Sequence, residues 1–138
     1  PSTLTITASH APAAAAGAAS LRGWSSGAPQ AAGMSLTIAL PEPVAVTELQ
    51  FDSAETLSRG RGGAASTPVV GYPRGYSIDV SVDGKSWSKP VAVGKGQGRH
   101  TTIAFAPARA KLVRITQTDS VPDAPEWSVS NLRVYRAP

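Results

Sequence analysis

The stretch Tyr76–Trp87, YSIDVSVDGKSW, decides the fold class. Tyr76, Ile78, Val80 and Val82 alternate with Ser77, Asp79, Ser81 and Asp83. A period of two marks a strand with one buried face and one wet face. Asp83-Gly84 follows at once, and glycine takes the positive φ of a tight hairpin turn. The reading therefore places Tyr76, Ile78, Val80 and Val82 on an inner face. Asp79 and Ser81 face out or toward a neighbouring edge, and Trp87 returns an aromatic to the buried side.

Working outward, the neighbouring segments read as more strands. Toward the N-terminus lie Ser2–Ser9, Met34–Leu40 and Val44–Phe51. Pro41 and Pro43 are expected to end the second of these, because proline cannot donate to a ladder. Val44, Val46, Leu49 and Phe51 keep phase only if a bulge sits near Thr47. Toward the C-terminus lie Pro90–Val93, His100–Phe105, Lys111–Gln117 and Val129–Tyr135. Pro107 joins the middle two, and Val129 stands out of phase with Leu132. Between His10 and Ser20 the chain is nearly all alanine, broken by Pro12 and Gly17, which leaves room for a loop with a helical turn. Residues 52–74 and 118–126 form two long loops rich in Gly and Pro. Eight short strands with Gly/Pro loops predict an all-β antiparallel sandwich, most simply an eight-stranded jelly roll.

Length and composition set further bounds. The 138 residues fit one domain spanning 1–138. There is no cysteine, which excludes disulfides and thiolate metal sites. Thirteen basic against nine acidic residues are spread without a charged block, which argues against a nucleic-acid partner. Leu57, Val69, Val70 and Tyr72 are diluted by Gly and Arg, a poor membrane wedge, so no membrane partner is expected. No signal-like segment follows Pro1, and the chain reads as a mature fragment or an excised domain.

Several motifs invite chemistry that their context does not support. Gly23-Trp24-Ser25-Ser26-Gly27 matches a nucleophile elbow in letters, without the strand–turn–helix setting that motif needs. Gly94–Gly98, GKGQG, lacks the setting of a phosphate loop and reads as a β-turn. Arg59-Gly60-Arg61-Gly62-Gly63 is a single RGG-like copy. His10 and His100 stand apart, beside no carboxylate pair. Glu126-Trp127 is the strongest local hint of a glycan site, since an indole face suits sugar C–H groups and a carboxylate accepts hydroxyl hydrogen bonds.

Taken in order, ITASH, GWSSGAPQAAGMSLTIALPEPVAVTELQF, YPRGYSIDVSVDGKSW, KLVRITQT and EWSVSNLRVY resemble the discoidin family, or coagulation factor 5/8 type C domains, and the related family 32 carbohydrate-binding modules. The resemblance implies a jelly roll that binds ligands through loops at one end, without catalysis. It implies a carbohydrate-binding module that anchors a larger secreted, periplasmic or cell-surface bacterial protein to a glycan. The alternative is a protein-interaction or structural accessory domain that binds no sugar. The resemblance gathers loops 52–74 and 118–127 and the 10–24 segment at one end. Trp127, Glu126, Arg59, Arg61, Arg22 and Trp24 are the ligand-binding candidates there, with stacking on Trp127 or, if that is buried, on Trp24. Calcium-bearing relatives carry an Asp-Gly-Asp-like run before the residue matching Trp24 and a Glu in the last strand. This chain has AAAAGAASLRG and Asn131 at those places, so structural calcium is disfavoured and no cofactor or metal site is expected.

Overall fold

The computed structural model describes residues 4–58, 67–121 and 126–137. Nine strands and one 3₁₀ helix make up the regular structure there. The strands are β1 (Thr5–Ala8), β2 (Trp24–Ser25), β3 (Ser35–Asp52), β4 (Glu55–Ser58), β5 (Thr67–Val70), β6 (Tyr76–Ser81), β7 (Ala92–Gly94), β8 (His100–Gln117) and β9 (Ser128–Arg136). Every pairing is antiparallel. One seven-stranded sheet runs β2-β9-β3-β8-β6-β7, with β1 also on β3, and β4-β5 form a separate ribbon.

Two strands of 18 residues, β3 and β8, make the sandwich. Met34–Leu40 and Val44–Phe51 were expected as separate strands ended by Pro41 and Pro43. They are one strand, and the prolines mark its bend. Ala39 pairs with Leu112 and Val44 with Ala110, so Leu40 to Pro43 face Lys111 alone. Lys111 Nζ donates to the Pro41 carbonyl there (2.9 Å), a carbonyl that the ladder leaves free. Pro107 likewise lies inside β8, not between two strands. The register shift expected near Thr47 is present, between Val46 and Glu48, where Phe105 to Pro107 bulge from β8.

Beyond the bend the two strands continue together in a second layer. One layer holds β1, residues 35–39 of β3, residues 112–116 of β8, β6 and β7. The other holds residues 44–52 of β3, the first half of β8, β9 and β2. Leu36, Ile38, Ile78, Val113 and Ile115 from the first join Leu49, Phe51, Ile103, Val129 and Leu132 from the second in one buried cluster. Sequence phase follows the bulges. Gln50 pairs with Arg133 but Asp52 with Ser130, so Phe51 faces both Asn131 and Leu132. Asn131 takes φ 51°, and this bulge puts Val129 and Leu132 on the same side.

Strand β6 keeps the expected register at Tyr76, Ile78 and Val80, all buried. The register ends one residue early. Val82 is 49% exposed, and Ser81 is buried because its hydroxyl turns inward to accept the Gly84 N–H at 2.8 Å. Gly84 has φ 80°, yet the turn is not a two-residue hairpin, since residues 82–91 separate β6 from β7. Trp87 also departs from expectation. It lies half-buried over the Arg114 guanidinium (4.0 Å to the ring centroid), beside the Arg114–Asp79 ion pair (2.9 Å), and is not part of the core. The alanine-rich segment forms the 3₁₀ helix Pro12–Ala19, which buries Ala15 and Ala18. No helix among the described residues is long and apolar enough to cross a membrane.

Candidate functional site

Because β3 and β8 both bend in the middle, their four ends emerge at one end of the sandwich. The loops that meet there are locked by backbone hydrogen bonds. Gly71 N donates to Ala54 O, Ser128 N to Gly71 O, Ser26 N to Trp127 O and Val121 N to Gln30 O, each at 2.9 Å. Ser128 Oγ accepts the Ala54 N–H at 2.8 Å. Gly71 is required by this crossing, since a Cβ on it would lie 2.3 Å from the Glu126 carbonyl oxygen.

The loop end draws Trp24, Trp127, Glu126 and Arg22 together, but it buries both indoles. Trp127 is 0% and Trp24 2% exposed. Their rings meet edge to face, with centroids 5.0 Å apart. Trp24 Nε1 donates to the His10 carbonyl at 3.0 Å. Trp127 Nε1 is buried with no partner among the described residues. Neither face is open to a sugar, which corrects the expectation of stacking on Trp127 or Trp24: the pair plugs the gap where the layers splay. Glu126 is exposed, but its Oε1 accepts from Ser25 Oγ (2.7 Å) and Gly27 N (3.2 Å), which anchors the loop carrying it. Arg22 is exposed on the wall of a cleft of about 240 Å³ that Leu21, Trp24, Ser25, Ala54 and Ser130 also line. Arg59 and Arg61 lie outside the described residues.

The hydroxyl of Ser25 answers the elbow motif. Ser25 lies in the two-residue β2, followed by a bend and not a helix, and it bonds to Glu126 and not to a histidine. In the fold His100 meets one carboxylate, from a residue distant in sequence. Its Nδ1 lies 2.7 Å from Asp52 Oδ1, and Asn131 Nδ2 donates to Asp52 Oδ2 at 3.0 Å. Those two hydrogen bonds, Asn131 first, hold the Asp52 carboxyl below its ordinary value. The signal was the β3–β8 register, which sets Asp52 opposite His100.

Tyr72 and Arg74, outside the sequence-based candidates, carry a half-buried aromatic surface at this end. The Arg74 guanidinium lies 3.6 Å from the Tyr72 ring centroid. Its Nη1 donates to the Val70 carbonyl (3.0 Å) and the Tyr72 carbonyl (2.8 Å), and its backbone N to Gln30 Oε1 (2.9 Å). Gln30, fully buried, also donates from Nε2 to the Tyr72 carbonyl and accepts from Gln117 Nε2.

The chain's oxygens do not fit the calcium site of calcium-bearing relatives. The Gly17 carbonyl already accepts from Ser20 N (3.0 Å), Ser20 Oγ (3.1 Å) and Gly23 N (2.9 Å). Asn131 is turned as a donor, from its backbone N to Ser20 O and from its side chain to Asp52. A hard cation needs several free oxygens and negative charge, and the Gly17 and Ser20 carbonyls are already taken by N–H and O–H groups.

The model of the F5/8 type C domain matches residues 2–132. The chain belongs to that family. Among solved structures, this F5/8 type C domain is similar to a chitosan-binding module from a Paenibacillus sp. IK-5 chitosanase/glucanase, with 24% identity and TM-score 0.65 over 95% of this chain and 93% of that one. It is similar to the family 32 module of C. perfringens NanJ, solved with galactose, with 20% identity and TM-score 0.66 over 96% and 93%. It is also similar to the family 32 module of AlyQ, solved with 4,5-unsaturated mannuronic acid, with 17% identity and TM-score 0.66 over 96% and 95%. At these identities the likeness is one of fold. No curated protein sequence matches the domain significantly.

Proposed function

We propose that this F5/8 type C domain is a non-catalytic carbohydrate-binding module that holds a larger secreted, periplasmic or cell-surface protein on a glycan. Family membership and modules of the same fold solved with sugars support the class. The observation that carries the site is the Tyr72–Arg74 stack, a half-exposed aromatic at the loop end where the two indoles are sealed. A half-buried aromatic with hydrogen-bond donors beside it suits a pyranose, whose C–H groups pack on a ring face and whose hydroxyls take hydrogen bonds. Arg22 and Glu126 sit on the adjoining loops and bound the same end of the sandwich. Such a site buries few apolar atoms and binds weakly alone, so its use lies in raising local concentration for an attached domain.

The alternative, an interaction domain that binds no sugar, is favoured by one fact: the best stacking side chains are spent on the core. A glycan array on the isolated domain separates the two. Retention on a defined glycan, lost in Tyr72→Ala with the unfolding midpoint unchanged, supports the module reading. No retention on any glycan refutes it.

A further inference from the structure

Arg74 is held in an unusual way for a surface arginine. Both protons of Nη1 are taken by the Val70 and Tyr72 carbonyls, and the guanidinium plane rests on Tyr72. That leaves Nε–H and the Nη2 protons, the side-on edge of the fork, with no partner among the described residues. No carboxylate among the described residues lies within ion-pair distance of it. Asp119 packs against the adjoining Gly75, and its Oδ1 takes the Thr118 hydroxyl (3.1 Å). Glu126 is turned to Ser25 and Gly27.

Other described arginines differ. Arg99 pairs with Glu55 (3.2 Å), and Arg114 with Asp79. Arg133 spends its Nε on the Asn131 carbonyl (3.2 Å). Arg22 is exposed, with no hydrogen bond from its guanidinium to a described residue. Of the arginines compared, Arg74 combines a fixed guanidinium with a two-donor edge that has no partner among the described residues. That edge matches the two oxygens of a carboxylate, and the side-chain entropy that usually opposes such pairing is already spent.

We propose that Arg74 is the anion-recognition residue of this loop end and that the ligand class is an acidic glycan, whose uronate carboxylate docks side-on to Nε and Nη2. The proposal rests on the glycan-module reading and deepens it. A sulfated sugar offers a similar oxyanion, and the test separates the two.

The test is isothermal titration at physiological salt with a polyuronate, the same polymer with its carboxyls methyl-esterified, and a sulfated but uronate-free glycan. The polyuronate should bind, and esterification should weaken it at least tenfold. Arg74→Lys keeps the net charge but loses the fork, so it should also cost tenfold or more, and Arg74→Gln at least as much. An unchanged urea midpoint in Arg74→Lys shows that the loop is intact. Arg109→Gln, which changes net charge equally but lies at the strand bend opposite Ala45, should cost less than threefold. Equal binding of the acid and the ester overturns the anion proposal while leaving the module reading in place. Binding of the sulfated glycan alone overturns the carboxylate assignment. Full affinity in both Arg74 variants places anion recognition elsewhere and also refutes the proposal. Failure of every acidic and neutral glycan to bind wild-type protein removes the module reading itself.

Discussion

Trp127→Ala tests whether this indole is structural. Trp127 is among the largest fully buried side chains and meets Trp24 edge to face. Truncating a buried tryptophan to alanine costs about 3–5 kcal/mol, through lost transfer energy and the cavity left behind. One feature opposes this cost: the Trp127 Nε1–H is buried without a partner among the described residues, and such a group disfavours folding by about 1–3 kcal/mol. Truncation removes that group, so the expected net loss centres on about 2 kcal/mol, a large share of the roughly 5–15 kcal/mol that holds a domain folded. Trp127→Phe separates the two effects. It keeps most of the ring volume and deletes the unpartnered N–H, so its loss should stay within about 1.5 kcal/mol. Urea unfolding followed by far-ultraviolet circular dichroism measures both, with m unchanged as the check on two-state behaviour. If Trp127→Ala keeps wild-type stability to within about 0.5 kcal/mol, the level of an ordinary surface substitution, the indole is not in the core and the reasoning fails.

Gly71→Ala should destabilise by about 1–3 kcal/mol in the same assay, because its Cβ would lie 2.3 Å from Glu126 O and 2.7 Å from Ser128 Oγ. A neutral result would show that these loops are not interlocked. Asp52 has a folded pKa below its ordinary 3.8, so it stabilises the fold above that pH and loses the contribution as pH falls through the lowered value. The acid limb of stability should therefore be shallower in Asp52→Asn, and an unchanged limb would rule the contribution out. Thermal unfolding should be indifferent to chelator, because a ligand that does not bind the native state cannot shift its midpoint; a marked drop with EDTA would show that the loop oxygens reorganise around calcium. Acrylamide should quench chiefly Trp87, since Trp24 and Trp127 are sealed, and Trp87→Phe should abolish most of that quenching.

The fold was legible where one strand face meets the core. Ile78 and Val80 alternate cleanly, and the phase breaks at Thr47 and between Val129 and Leu132 each correspond to a real register shift. Proline misled at two places. Pro41 and Pro43 lack a ladder donor, but here the strand reaches the sandwich corner at the same point, where ladder bonds lapse anyway. The sequence shows a lost hydrogen bond; only the partner strand shows that pairing resumes beyond it. Ser81 and Val82 broke phase for a local reason, a serine hydroxyl drawn inward to close the turn at Gly84, and alternation carries no sign of such a bond.

The site was less legible, because composition cannot tell a plug from a platform. Trp127 and Trp24 fall on the right loops, yet the splayed layers need large side chains to close the gap, and the two indoles fill it before any ligand arrives. Once they are spent, a smaller aromatic must supply any open surface, and Tyr72 can do so only because Arg74 and Gln30 hold its segment. The same bonds that brace Tyr72 fix the Arg74 fork and leave one edge without a partner among the described residues. Ligand chemistry at this end therefore follows from loop packing: the core takes the flat apolar faces, and what remains outside is an oriented cation.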